Sequence, residues 1–402
     1  MTETRTAVVI GGGIAGPVAA MALAKAGIEA RVFERFDQPA DGIGGMIGLA
    51  PNGLNALGSI GLLDAVLEIA EPVPSMVMLS WTGKRLAEFG DPAGPPMLRT
   101  VWRSDLYRVL EREARARGIR FEYGRQLTDA RDGTAIFADG TTAAGDVIIG
   151  ADGIRSTMRT LIDPGAPAPR YTGLISFGCR PGKPVNVPST HGSLHMVYGK
   201  KAVFAYGSDE SGHAGWFVNL PSRTPMSLAE ARAVGAIEWL RRLSEVFAED
   251  RSPAVEILAA SKPEDLVIVG GVYDLPKVPV WHRGRMVLIG DAAHATSPSS
   301  GQGGSIAIES AIQLARCLRD IPSVGEALGV YENLRRPRVE RIIAAGRRVD
   351  GNKAPGPVGR TVRDLVLPTV MKLLVKPGKM AWQTDYRIDF EAPVDGALTS
   401  NR

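Results

Sequence analysis

No disulfide framework can be drawn from this sequence. Its 402 residues hold two cysteines, Cys179 and Cys317, too few to staple a secreted scaffold, so a reducing, cytoplasmic setting is expected. Nothing before Thr6 joins basic residues to an apolar core, so no secretory leader is expected. Long apolar runs are missing too. The C-terminal stretch "TVRDLVLPTVMKLLVK" is interrupted by Arg363, Asp364, Pro368 and Lys372, which excludes a membrane span and leaves an amphipathic packing helix. The net charge of +4 comes without a dense Lys/Arg block, which argues against a nucleic-acid partner. No metal-ligand spacing and no nucleophile–base arrangement stands out, so no metal site and no catalytic residue is assigned.

What is present is an ordinary globular composition, 45% hydrophobic and 22% charged, with enough length for two interleaved or successive domains. Glycine is the exception. There are 47 glycines, above the usual ~7% of residues, and they cluster where a backbone must come close to something.

The first cluster is Gly11-Gly12-Gly13-Ile14-Ala15-Gly16. It follows a β-branched run, Thr6–Ile10, and opens an Ala-rich helix, Ile14–Ala26, stopped by Gly27; a second strand, Ala30–Phe33, ends at Glu34. In G-x-G-x-x-G the first glycine allows the tight turn and the second admits a pyrophosphate to the helix N-terminus. The third lets helix and strand pack closely. An acid about 20 residues on can accept from ribose hydroxyls. This context reads as a dinucleotide site. The second cluster, "GADGIRSTMR", ends a buried strand in Asp152-Gly153. The third, "GDAAHATSPSSGQGG", ends another strand in Asp291 and runs through Pro298, Gly301, Gly303 and Gly304 into a helix from Ser305. His294 within it reads as a packing residue. Between the second and third clusters, "GLISFGC", "GSLHMVY", "AVFAYGS" and "GWFVNLP" read as strands, with one helix near Ser227–Asp250. A helix capped by Ser104, a hairpin at Asp139-Gly140 and long helices at Ser305–Arg319 and Val324–Arg348 complete the reading.

The three clusters in this order, with "WRSDLYRVL", "WHRGRMVLIGD" and "YENLRRPRVERI", make nearly the whole chain resemble the group A flavoprotein monooxygenases, relatives of para-hydroxybenzoate hydroxylase. Its size resembles the tetracycline-inactivating branch. The resemblance implies an α/β fold: a Rossmann-like, GR2-type FAD-binding domain at 1–170 and 281–350, a sheet-rich substrate domain at 171–280, and a C-terminal helical segment at 351–402. It also implies roles. Gly11, Gly13, Ile14, Ala15 and Gly16 would form the pyrophosphate turn, Glu34 would hold the adenosine ribose, and Arg35 would lie on the adenine side. Arg103 would reach the ribityl-phosphate region, and Leu127 would offer main-chain contacts to adenine. Asp152 would relate to both FAD and NAD(P)H. Asp291 would accept from the ribityl hydroxyl, and Gly301, Gly303, Gly304 and Ser305 would face the flavin ring. Two positions depart from the family pattern: Ser305 stands where an Asn is usual, and Ser310 where an acid is usual.

The activity this resemblance implies is oxygen insertion by hydroxylation, epoxidation or Baeyer–Villiger chemistry, with NAD(P)H and O2 as co-substrates and a flavin C4a-hydroperoxide as oxidant. A single fingerprint leaves NAD(P)H a transient visitor. The substrate would be an apolar, aromatic or polyketide-like small molecule against Met196, Phe204, Trp216 and Pro298. A homo-oligomer is compatible with the sequence. Two alternatives stay open: a reductase or halogenase of the same fold, although "WFVNLP" lacks their second Trp at Val218, and a flavin-binding protein without turnover.

Overall fold

The computed structural model describes residues 5–39, 44–90, 95–350, 359–362, 364–367 and 381–394. Most of the expected C-terminal helical segment, including part of "TVRDLVLPTVMKLLVK", lies outside the described residues. Helical turns at 359–362 and 364–367 and the helix Ala381–Thr384 are its described parts.

The β-branched run Thr6–Ile10 becomes the middle of a six-stranded sheet. Its neighbours are Glu29–Phe33 on one side and Val147–Gly150 on the other, both parallel. Arg120–Glu122 and Met286–Leu288 extend the sheet in parallel, and His282–Arg283 folds back antiparallel at the edge. Strands covered on both faces read as continuous apolar runs, and Val8, Val9, Val32, Ile148 and Ile149 are all inaccessible to solvent. Burying each such side chain stabilises by about 1.5–3 kcal/mol. The first helix, Ala15–Lys25, packs between this sheet and the long helix Gly303–Asp320. Gly27 terminates it with φ of 79°, a left-handed stop that glycine adopts without strain.

The second large sheet has seven strands, in the order Leu266–Asp274, Arg170–Cys179, Ala214–Pro221, Val203–Ser208, Leu194–Tyr198, Ser75–Ser80 and Arg85–Gly90. The last two come from far earlier in the chain, so this sheet is not built from 171–280 alone. Ser75–Ser80 joins as a parallel neighbour of Leu194–Tyr198, a pairing no local pattern announces. The helix expected near Ser227–Asp250 is two helices, Leu228–Ala233 and Ala236–Phe247. Gly235, with φ of 86°, breaks them apart. Ser227 caps the first in a reciprocal arrangement with Glu230. The helix over Tyr107 starts at Arg103, with Trp102 rather than Ser104 in the capping place.

One face of this sheet is closed by Ala236–Phe247. Phe177, Phe204, Trp216 and Val218 pack there against Trp239, Leu243 and Phe247. The other face looks toward the first sheet across a cavity. A small sheet, Met46–Leu49, Leu98–Trp102 and Glu71–Val73, lies beside it.

Candidate functional site

Three acids mark the carboxyl ends of parallel strands in the first sheet. Glu34 follows Glu29–Phe33, Asp152 follows Val147–Gly150, and Asp291 follows Met286–Leu288. The outside of such strand ends, where the chain crosses to helices, is where open parallel sheets hold ligands. All three acids border one cavity of about 1700 Å³, which runs from Gly11–Ala15 to the seven-stranded sheet. Pockets for one drug-sized ligand are usually about 300–1,000 Å³, so this one has room for a dinucleotide and a second molecule.

The cavity wall near the first sheet is shaped for an anion. Ala15–Lys25 begins without a side-chain cap and without an acid in its first turn, and so does Gly303–Asp320. Free N–H groups at a helix start attract negative charge. Two glycines around the start of the first helix leave no room for a side chain. A Cβ on Gly16 would lie 1.9 Å from the Gly11 carbonyl oxygen, and one on Gly11 would lie 2.4 Å from that of Ala151. Glu34 accepts from the Gly12 N–H (2.7 Å) and the Phe36 N–H (3.1 Å), which fixes its carboxylate at the cavity edge. Arg103 donates to the Tyr107 hydroxyl from Nε (3.1 Å) and Nη2 (2.7 Å). Asp291 is bare on the cavity side and enclosed by protein elsewhere. Burial raises its carboxyl above the usual range against the opposing charge of Arg103. Among the described residues no protein group hydrogen-bonds that carboxylate, so it is available to a ligand hydroxyl.

A family model described as an FAD binding domain matches residues 3–214 and 277–345. The chain belongs to this FAD-binding family. It is 30% identical over 355 residues to the kynurenine 3-monooxygenase of Salinispora arenicola, across 83% of this chain and 76% of that protein. The structure of Klebsiella pneumoniae HpxO with FAD and uric acid superimposes with a TM-score of 0.78 at 26% identity, over 94% of this chain and 95% of that one. The tetracycline destructase Tet(51) is a structural neighbour with a TM-score of 0.64 at 22% identity, over 94% and 100%; that likeness concerns the fold alone. The protein is accordingly an FAD-dependent oxidoreductase of the monooxygenase kind, and the bare helix starts and the unpartnered Asp291 fit that cofactor.

In this flavoprotein, Gly11, Gly13, Ile14, Ala15, Glu34, Arg35, Arg103, Leu127, Asp152, Asp291, Gly301, Gly303 and Gly304 border the cavity, as do Met196 and Pro298. The remaining expected site residues do not. Gly16 is spent on close packing against Gly11. Ser305 is fully buried, and its Oγ accepts from the Ala50 N–H at 3.1 Å, so it ties the long helix to the next layer. Asp152 reaches the cavity with its carboxylate already engaged by Ser156 Oγ (2.6 Å) and the Met158 N–H (3.0 Å), which makes it an anchor of its own turn.

Phe204 and Trp216 need correction as substrate contacts. Both turn to the helix-covered face, where their rings stack 5.8 Å apart and Trp216 Nε1 donates to Ser261 Oγ at 2.8 Å. Side chains alternate along a strand, so the neighbours Phe217 and Asn219 face the cavity in their place. Sequence reading also passed over Asn52 and Gln302. Both are buried, and Asn52 Nδ2 donates to Gln302 Oε1 at 3.0 Å and Glu309 Oε1 at 2.6 Å. Gln302 lies in the visible "GQGG", but nothing local marks Asn52 as its partner.

Proposed function

We propose that the protein is an NAD(P)H- and O2-dependent monooxygenase that inserts one oxygen atom into an apolar, aromatic or polyketide-like small molecule. The observation that carries this reading is the continuity of one cavity from the anion-ready helix starts to an apolar sheet face. FAD, when bound, supplies the two-electron chemistry and the activation of oxygen. The chain's own residues bind, orient and keep water out. The N–H groups at Gly13–Ala15 would take the pyrophosphate, Glu34 the adenosine ribose, and Asp291 and Arg103 the ribityl stretch. Gly301, Gly303 and Gly304 would let backbone come close to the ring, where a side chain would hold it off. Met76, Met78, Met196 and Phe217 exclude water from the far side. Such dryness favours oxygen transfer over release of hydrogen peroxide.

No helix among the described residues is long and apolar enough to cross a membrane. Both cysteines are buried free thiols, which supports the expected cytoplasmic setting. The purified protein should be yellow and hold about one releasable FAD per chain, as one fingerprint implies. With NAD(P)H and a turned-over aromatic, the product should gain one atom from labelled dioxygen. A product that gains hydrogens or a halide with no label would assign the fold to a reductase or halogenase.

A further inference from the structure

Among the described residues, the cavity face of the seven-stranded sheet carries no charged side chain. Met76, Met78, Leu194, Met196 and Phe217 dominate it, and all of them border the cavity. Its polar side chains are few. Tyr198 is engaged within the chain. Tyr273 stands near the strand end with the Arg155 guanidinium over its ring at 5.6 Å. The remaining two, Ser176 and Asn219, are direct partners on adjacent strands. The Ser176 hydroxyl donates to Asn219 Oδ1. That bond sets the amide plane and leaves Nδ2 as the free end. Asn219 is only 9% exposed, yet among the described residues its Nδ2 has no protein partner and is not sealed from the cavity. Arg232 also borders the cavity, but it belongs to the helix Leu228–Ala233 and is exposed to solvent.

We propose that Asn219, oriented by Ser176, is the specificity-determining donor of the substrate cavity, selecting an uncharged, mostly apolar molecule with a carbonyl acceptor. This rests on the monooxygenase reading and names its substrate class. The physical reason has two sides. A buried amide donor left without an acceptor costs free energy, so a substrate that offers one is preferred over an analogue that does not. A carboxylate beside Asn219 would be desolvated away from any cation of the wall, since Arg155, which also borders the cavity, stands by Tyr273 two strands away; that costs more than the hydrogen bond returns. The methionines suit this role, because their flexible thioethers adapt to irregular apolar outlines.

The test uses the full-length, FAD-loaded protein and three probes. Heptylquinolone has a neutral ring carbonyl and an apolar tail, heptylnaphthalene lacks the acceptor, and kynurenic acid carries the quinoline ring with a carboxylate. Binding is read from the perturbation of bound-flavin absorbance. Heptylquinolone should bind tightest and kynurenic acid weakest. Asn219→Leu should weaken heptylquinolone about tenfold, about 1.4 kcal/mol, and leave heptylnaphthalene unchanged. Asn219→Asp, near-isosteric and still able to accept from Ser176, should show the same selective loss at mildly alkaline pH and guards against a misfolded Leu variant. Kynurenic acid binding as tightly as heptylquinolone, equal weakening of both neutral probes, or no binding by any probe would overturn the assignment. Flavin content and reduction by NAD(P)H, measured on the same preparations, separate the two readings. Protein that takes up no FAD defeats both, while flavin-replete, reducible protein without the Asn219 dependence defeats this one alone.

Discussion

His294 closes the short helix Asp291–His294, just ahead of the loop that borders the cavity, and has a packing role. Its Nε2 is 2.9 Å from Ser310 Oγ, and its ring lies 5.4 Å from that of Trp281. Burial first, and then the charge of Arg335, push its pKa down to about 3. The neutral ring is therefore the native form. In the unfolded chain the group titrates near its ordinary value of about 6.5, so below that pH the unfolded state binds the extra proton. Stability from this residue is complete above about pH 6.5 and is lost as pH falls toward 3, on the order of 3 kcal/mol by pH 4. His294→Gln keeps a polar group near the Nε2 position and removes the titration. Urea melts at about pH 7 and pH 4 should show a smaller acid loss for the variant than for the parent. Equal losses would mean that other groups set the acid limit.

At the scale of elements, one buried carboxylate joins four pieces of chain. Glu309, on the helix Gly303–Asp320, pairs with Arg335 at 2.7 Å, both fully buried, and with Arg338 at 2.9 Å. Burial alone would raise its carboxyl, but the two guanidiniums hold it below the usual range. Asn52 brings in the helix Pro51–Ser59 and, through Gln302, the glycine-rich loop that borders the cavity. Arg338 continues to the carbonyls of Trp382 and Gln383, each at 2.7 Å. Removing one partner strands the others' charges in a place without water. Glu309→Gln should therefore cost about 3–5 kcal/mol of stability, seen as a lower urea midpoint, and should loosen FAD by freeing Gln302. Glu238→Gln, on an exposed surface pair with Arg241 and Arg242, is the control and should change neither.

The molecule as a whole is two sheets with separate apolar cores and a cavity between them. One core packs around Val9, Ile149 and Leu288, the other around Phe204, Trp216 and Phe247. A cofactor in that cavity touches structure belonging to both. FAD at about 100 times its Kd should add about 2.7 kcal/mol to the folded state, which corresponds to a rise in Tm of roughly 3–6 °C for a chain or half-chain of this size. Melts of stripped and reloaded protein check this by circular dichroism and by tryptophan fluorescence. The chain's six tryptophans emit together, so the first core, with Trp281, and the second, with Trp216 and Trp239, are read apart by repeating the melts on Trp281→Phe and on the double variant Trp216→Phe/Trp239→Phe. A shift confined to one signal would place the cofactor against one sheet only.

Where a constraint acts on the backbone of near neighbours, the order of residues announces it. Gly11–Gly16 after Thr6–Ile10, and Asp291 after Met286–Leu288, announce a tight turn that leaves no room for a Cβ at Gly16 and an acid at a strand end, because those constraints act between near neighbours in sequence. Which side chains line the substrate space was decided only by the tertiary structure. Along Ala214–Pro221 both faces are covered, one by a helix and the other across the cavity, so Trp216, Phe217 and Val218 are apolar in succession and carry no alternation to read. A shift of one residue exchanges the two faces. The register with Arg170–Cys179, set by contacts across the whole sheet, places Trp216 in the core and turns Phe217 and Asn219 to the cavity. The strand Ser75–Ser80 reaches that wall for the same reason: its partner lies far along the chain, and pairing between distant segments is settled by packing rather than by any local pattern.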